Sequence, residues 1–546
     1  MDEYAWWQKA VFYQIYPRSF KDSTNNGIGD LKGIISKLDY LAELGIDAIW
    51  YSPFFMSPQE DFGYDITAYD KIAPEYGTMD DFESLLEKSH ALDIKMILDL
   101  VLNHTSDKHP WFLESKKDQT NSKADWYVWK DGKGKNGKKP PNNWKSIIGG
   151  SMWKWNEDRC QFYLHQFLPC QPDLNWRNEE VKKQMFYYIK YWLDKGVDGF
   201  RLDIIHTLFE DNKFRDNPKS WRLFPSEDNS ASLFQNPKYT QFLPETIEIC
   251  RYIRKIVNSY SPPRMLVGEA TGGPKVMQSL YGAYNDGLNL VFNFSLCNAD
   301  FSSKKVNEII QESELLLPIP YWPCFCLSNH DNKRMISKLG NNEEKMRLIT
   351  LLILSIRGTP FIYYGEEIGM FQVKIPKNQW SDPIAFLKFF KLPIGHFFNR
   401  DGCRTPMQWK PEDVNAGFSL SSSLKPWLPV SPSVMTQNVE TQLNKKDSLL
   451  KFYHDLLKFR KNSLALQIGT LSLLSIANEK IVVYKRIFRD EKLYIFLNFS
   501  NKAVKILNPT IDGFIAFSTK NIINHNDFKS KITLDKFEGI IVKPRS

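Results

Sequence analysis

The sequence predicts an α/β fold, a (β/α)8 barrel with an inserted subdomain after the third strand and a C-terminal antiparallel β domain. Three observations predict it. Strand-like and helix-like segments alternate through most of the chain, the pattern of parallel strands joined by covering helices. The alternation stops between His104 and Leu174, where the chain turns polar and rich in Gly, Lys, Trp and Asn. After Leu464 it gives way to the short strand-like runs KIVVYKRIF, LYIFLNFS, FIAFST and GIIVKP, which read as antiparallel strands.

Each element follows from local pattern. Phe12–Tyr16 is a strand, and Leu31–Leu44 a helix stopped by Gly45. Ala48–Tyr51 is a strand and Met79–Leu92 a helix. Lys95–Leu102 is almost unbroken apolar sequence, as expected of a strand buried on both faces. Beyond the interruption come a helix at Glu179–Lys195 and a strand at Val197–Asp203. A helix at Glu245–Val257 and strands at Met265–Gly268 and Leu288–Phe292 follow. Then come a helix at Lys305–Glu314, a strand at Pro323–Ser328, a helix at Lys345–Ser355 and a strand at Pro360–Tyr363. The helix Asp447–Leu464 closes the series. The expected domains are 1–103, the first part of the barrel; 104–174, the insertion; 175–464, the rest of the barrel; and 465–546, a sandwich-like β domain.

Composition excludes several function classes. At 546 residues the chain is too long for one small domain but suits a barrel with insertions. Lys+Arg is 71 and Asp+Glu 63, a mild net charge of +8. The cationic run Lys130–Lys139 is Gly-rich and has no interleaved aromatic platform, so it reads as a solvated loop and not a nucleic-acid site. Seven scattered cysteines without CxxC pairs or His-rich spacing argue against zinc and for free thiols in a reducing compartment. The start, Met1-Asp2-Glu3 followed closely by VFYQIY, leaves no room for a signal peptide. The apolar run Leu348–Ile356 is too short for a bilayer, which needs about 20 residues, and reads as a buried helix. A cytoplasmic protein with no membrane partner is expected; the oligomeric state is not legible. Aromatics make up 14 % and cluster in polar sequence at Trp126, Tyr127, Trp129, Trp153 and Trp155. Flat apolar faces beside polar groups suit a sugar ring; the plainer reading is loop packing.

The stretch GFRLDIIH at 199–206 carries Arg201 and Asp203 two residues apart, hence on one face of a strand. An Arg beside an Asp holds the carboxylate ionised and oriented. Taken alone this is equally a structural ion pair. Other strand ends carry similar groups: Asp99, Asn103 and His104 in DLVLNHTS, Glu269 in MLVGEA, and His330 and Asp331 in CLSNHDNKR. Barrel enzymes place their catalytic groups at these ends. Like charges gathered around one mouth cost free energy, which favours a functional site over scaffolding.

These four motifs, together with GYDI at Gly63–Ile66, QPDLNW at Gln171–Trp176 and RDGCRTPMQW at Arg400–Trp409, resemble the α-amylase superfamily of glycoside hydrolases. Within it the chain is most similar to the maltase-type α-glucosidase and oligosaccharide hydrolase branch, over nearly its whole length. The resemblance implies a retaining, exo-acting α-glucosidase that removes terminal glucose from short α-glucosides. Maltose is the type substrate, with isomaltose or sucrose as further candidates. It makes Asp203 the nucleophile and Glu269 the general acid/base, whose pKa must be raised to hold a proton near neutrality. The two carboxyls should lie about 5–5.5 Å apart. Arg201 would orient Asp203. Asp331 and His330 would bind sugar hydroxyls beside the reacting carbon, with His104 on the same ring. Asp65 and Arg400 would grip its far edge and block the cleft, and Tyr64 would stack on its face. Phe167 and Gln171 are also implied as substrate-binding residues. Ile204, directly after the nucleophile, would border the first and second sugar sites. Ile148 stands where many relatives place a pocket-lining Phe.

No cofactor is implied for catalysis. The resemblance does suggest a structural calcium loop in DSTNNGIGD, with Asp22, Thr24, Asn26, Ile28 and Asp30 as ligands. Thr24 and Asn26 replace an Asn and an Asp, and one carboxylate fewer weakens a hard-cation site; the alternative is a Gly-capped turn. Two rival functions are weighed: a glucosyl transferase or isomerase, which the same residues would serve, and a catalytically inactive binding subunit. The intact set Asp203, Glu269 and Asp331 disfavours the latter.

Overall fold

The computed structural model describes residues 4–223, 231–386, 395–411, 413–420, 424–475, 478–507, 511–520, 527–528 and 531–545. Eight parallel strands close a barrel: β1 (Phe12–Ile15), β2 (Ala48–Tyr51), β3 (Lys95–Val101), β4 (Gly199–Asp203), β5 (Met265–Gly268), β6 (Leu290–Asn293), β7 (Cys324–Cys326) and β8 (Thr359–Tyr363). They follow one another around the barrel in chain order, and β8 pairs with β1. The long covering helices are α1 (Met79–Ala91), α2 (Glu179–Asp194), α3 (Pro244–Asn258), α4 (Ser303–Leu316), α5 (Glu343–Ser355) and α6 (Leu449–Lys461).

The period of two sorts side chains between two cores. Phe12, Trp50, Ile97, Val267, Phe292, Cys324 and Phe361 fill the barrel interior. Phe200, Leu202, Leu98 and Leu100 face outward, into the larger cluster beneath the helices. Arg201 and Asp203 therefore point inward. Gly199 starts their strand because a Cβ there would lie 2.2 Å from the Met265 carbonyl.

Some elements differ from their sequence reading. The helix expected at Leu31–Leu44 is two helices, Leu31–Ile35 and Leu38–Leu44, interrupted at Ser36 and Lys37. Val197 and Asp198 precede β4 rather than belonging to it. The Asp198 carboxylate instead accepts from Arg264 at 2.8 Å and from the Met96 amide at 2.9 Å, tying loops below the barrel. The seventh strand is only Cys324–Cys326, which frees Ser328–Asp331 to form a loop.

The insertion carries a three-stranded antiparallel sheet with its own small core of Val128, Trp144, Met152, Trp153, Phe162 and Leu164. Trp144 and Trp153 stack at 5.8 Å, and Trp126 and Tyr127 are buried. These aromatics thus pack the insertion, as the plainer reading had it. Helix α5 is buried without a break from Met346 to Ser355 because the C-terminal sheet covers its outer face. Gly539 makes that approach close: a Cβ there would meet Leu351 at 2.7 Å. The C-terminal sheet is antiparallel and includes Ile481–Phe488, Glu491–Asn498, Gly513–Ser518 and Gly539–Pro544. Among the described residues no helix is long and apolar enough to cross a membrane.

Candidate active site

Arg201 organises the mouth of the barrel. Its Nη1 donates to Asp99 Oδ1 and Oδ2 at 2.8 and 2.9 Å and to Asp203 Oδ1 at 2.7 Å, while Nη2 donates to Glu269. Three adjacent strands, β3, β4 and β5, thus place one carboxyl each on a single guanidinium. Register explains this: Arg201 pairs with Asp99 on one side and Val267 on the other. The Arg201 side chain is 1 % exposed and lies 5.0 Å from the Trp50 ring. Exposure rises from Asp99 at 0 % to Asp203 at 9 % and Glu269 at 15 %, so the last two open toward a ligand.

Three carboxyls around one cation cannot all ionise cheaply. Burial pushes Asp99 and Asp203 up, against the pull of Arg201.

Asp331 sits opposite, in the loop after β7. Its surroundings would desolvate it and raise its pKa, but His330, Arg400 and Arg404 outweigh that and hold it well below the usual carboxylate range. Arg400 Nη1 and Arg404 Nη2 each reach Asp331 Oδ1 at 3.0 Å. His330 Nδ1 lies 2.8 Å from the Gln14 amide nitrogen, so Nε2 carries the proton and faces Asp331 Oδ2 at 3.0 Å and the Tyr64 hydroxyl at 2.7 Å. Tyr64 passes the chain on to Asp99 Oδ2 at 3.0 Å and lies parallel to the His330 ring. Its hydroxyl is therefore tied into the carboxylate network.

One assignment is corrected here. Arg400 does not pair with Asp65. It pairs with Asp61 at 2.8 Å and with Asp382 at 2.9 Å, besides Asp331. Asp61 also accepts from the Gln171 amide at 3.1 Å. Asp65 is fully buried and turned away, accepting from Ser57 Oγ at 2.8 Å and from the Glu60 and Asp61 amides at 2.8 and 3.0 Å. Burial pushes its carboxyl up to about 6. A turn explains the exchange. The Tyr64 amide donates to the Asp61 carbonyl at 3.2 Å, and Gly63 takes φ 105° where a Cβ would strike Pro53. Residues 61 and 64 then share a side, and 65 points away. The D-x-G-Y spacing is the signal that could have found Asp61. Asp382 and Arg404, also missed, come from parts of the chain without a periodic pattern.

The remaining candidates gather at the same mouth. His104 lies with Nε2 3.2 Å from the Tyr64 carbonyl and its ring against Phe167; burial pushes it down to about 3, so it is neutral. Ile204 is mostly buried and holds a left-handed φ of 37°, strained for a β-branched residue.

The Asp22–Asp30 segment folds on itself. Asp22 accepts from the Asn25 and Gly27 amides at 2.7 and 2.8 Å. Asp30 accepts from Ser23 N and Gly33 N at 2.8 and 2.6 Å, capping the helix that follows. Asn26 Oδ1 accepts from Ile28 N at 2.8 Å. Each of these oxygens already serves an amide of its own neighbourhood, and only two are carboxylates. This donor set fits a closed turn better than a calcium cage. Among the described residues no group of three or more His, Cys, Asp or Glu is placed to hold a metal ion.

A model of the α-amylase catalytic domain matches residues 14–469. A probable α-glucosidase of Rhizobium meliloti (strain 1021) is 38 % identical over 515 residues, 91 % of this chain and 90 % of its own. An oligo-1,6-glucosidase of Parageobacillus thermoglucosidasius is 37 % identical over 554 residues, covering 96 % and 95 %. Among solved structures, an α-glucosyl transfer enzyme superposes with a TM-score of 0.91 at 34 % identity over the full length of both chains.

Proposed function

The chain belongs to the α-amylase family of catalytic domains, and from that premise we propose that Asp203, Glu269 and Asp331 carry out its chemistry. It is a glycoside hydrolase of the retaining, exo-acting α-glucosidase type, acting on small carbohydrates. The observation that supports the residue roles is the shared guanidinium of Arg201, which holds Asp203 and Glu269 side by side. Close carboxyls are the arrangement for double displacement; an inverting enzyme leaves a wider gap for water.

The reaction then runs in two steps. Asp203 attacks the anomeric carbon while Glu269 gives its proton to the leaving oxygen, and a glucosyl ester forms on Asp203. Glu269, now a carboxylate, takes a proton from water as that water cleaves the ester. Arg201 stabilises the carboxylate of Asp203 before and after. Asp331, kept ionised by His330, Arg400 and Arg404, accepts hydroxyl hydrogen bonds that strengthen as positive charge builds on the ring. Asp61, fixed by Arg400 and Gln171, holds the far edge of the same ring, and the Asp61–Arg400–Asp382 cluster closes the pocket behind it. That wall is why one terminal glucose is removed.

The likeness to a glucosyl transfer enzyme favours one second reading, in which a sugar replaces water in the second step; the same residues serve. We place the protein in the cytoplasm, supported by seven free thiols. The deciding experiment incubates the enzyme with maltose, isomaltose, sucrose and trehalose and follows products by chromatography and anomeric proton NMR. Release of α-glucose supports hydrolysis with retention. β-Glucose as first product overturns the mechanism, and new oligosaccharides or isomers in place of glucose select transfer.

A further inference from the structure

We propose that His206 is a positioning residue for Glu269, clamping the end of β5 to the end of β4 through Thr271; this rests on Glu269 being the acid/base. The β-ladder between these strands stops at Gly268, paired with Leu202. Beyond it Glu269 is held by two other contacts. Its amide donates to the Leu202 carbonyl at 2.9 Å, and its carbonyl accepts from the Ile205 amide at 3.1 Å. The left-handed Ile204 makes this geometry by turning the chain straight into a short 3-10 turn, Ile205–Thr207, laid against the β5 end.

His206 adds a third tie. Its Nε2 lies 3.0 Å from Thr271 Oγ1, two residues past the acid. The ring is fully buried and packs on Phe242 at 4.8 Å, and the His206 carbonyl accepts from the Phe242 amide at 2.8 Å. Burial pushes the imidazole down to about 4, so it is neutral and has one nitrogen free to accept the Thr271 hydroxyl. The Glu269 backbone also acts on the ring, opposing that downward shift, so the imidazole is held against the acid's own residue as well as against Thr271. Ile205 thus holds the acid's own carbonyl and His206 the side chain two residues beyond it, both from the segment that follows the nucleophile. The clamp fixes how far the Glu269 carboxyl stands from the leaving oxygen. An error of a fraction of an ångström there costs rate only where proton transfer matters.

The test compares parent, His206→Phe and Thr271→Val on maltose and on aryl α-glucosides of graded leaving-group pKa, reading kcat/KM, which reports glucosyl-enzyme formation. His206→Phe keeps a ring against Phe242 and removes the hydrogen bond. Thr271 is exposed, so its variant folds even if the other does not. The expected result is a loss of about tenfold on maltose, and less than about threefold on 2,4-dinitrophenyl α-glucoside, in both variants. A double variant should lose no more than either single one. Equal losses across all leaving groups, or a Thr271→Val enzyme with the parent's dependence, would overturn the clamp. A parent that cleaves no α-glucoside would instead overturn the functional reading.

Discussion

Arg400 Nη2 donates to Asp61 Oδ1 at 2.8 Å, a contact between residues 339 positions apart, whereas Asp65 caps a turn four residues on from Asp61. The two aspartates therefore predict different defects. Asp61→Asn and Arg400→Ala should each lower kcat/KM on every glucoside by about ten- to a hundredfold, the worth of a charge-assisted hydrogen bond. Asp65→Asn should instead lower the melting temperature, losing about 1–3 kcal/mol as the buried turn loses an acceptor. Kinetics and thermal unfolding on the three purified variants separate the cases. An Asp65 variant as inactive as Asp61→Asn, at an unchanged melting temperature, would reverse the assignment.

Asp203→Asn should reduce glucoside hydrolysis by several orders of magnitude with the fold intact, because no covalent intermediate forms. Glu269→Gln should hurt maltose far more than activated aryl glucosides, which need little protonation. Near-normal turnover by a folded Asp203→Asn enzyme would remove it as the nucleophile.

Glu366 and Glu367 lie buried behind the site. Glu366 accepts from Ser328 Oγ at 2.6 Å and from the Tyr453 hydroxyl at 3.2 Å, and burial pushes it up to about 8. The folded state thus holds a proton that the unfolded chain releases above its ordinary carboxyl range. Its contribution to stability is full below that range and is lost as pH rises toward 8, by at most about 1.4 kcal/mol per pH unit. Glu366→Gln removes this loss. Its melting temperature relative to the parent should rise from pH 5 to pH 8.5; a gap that stays constant would mean Glu366 does not titrate there.

Ile204 follows the nucleophile, is mostly buried and offers volume without a hydrogen bond. Ile204→Thr should raise the ratio of maltose to isomaltose turnover tenfold or more, since one or two methyls in such a site are worth about 1–3 kcal/mol. An unchanged ratio in a folded variant would leave Ile204 only its backbone role.

The Asp22–Asp30 turn satisfies its oxygens with its own amides. Adding calcium or a chelator should leave the melting temperature unchanged. A calcium-dependent rise of several degrees would show that the segment opens into a cation site, because a ligand binding only the folded state stabilises it.

Much of this molecule was legible in its residues. The period of two and the flanking polar runs define eight strands, because burial on both faces demands apolar sequence and turns demand the opposite. The same period puts Arg201 and Asp203 on one face. Local periodicity also limits the reading. It missed the break at Ser36 and Lys37, where no Gly or Pro marks the interruption. It could not tell the packing tryptophans of the insertion from a sugar platform.

What sequence by itself determined is the barrel, its added domains and the chemical types at the strand ends, since these follow from patterns that repeat within a few residues. Only the tertiary structure decided which charges meet. Asp61 rather than Asp65 faces Arg400 because a four-residue turn at Gly63 sets the side chain's direction, and direction within a turn has no period to read. Asp382 reaches the same arginine from outside any periodic element, and Thr271 reaches His206 from another strand end. Such pairings depend on ångström distances between chain segments far apart in sequence, which local propensity does not carry.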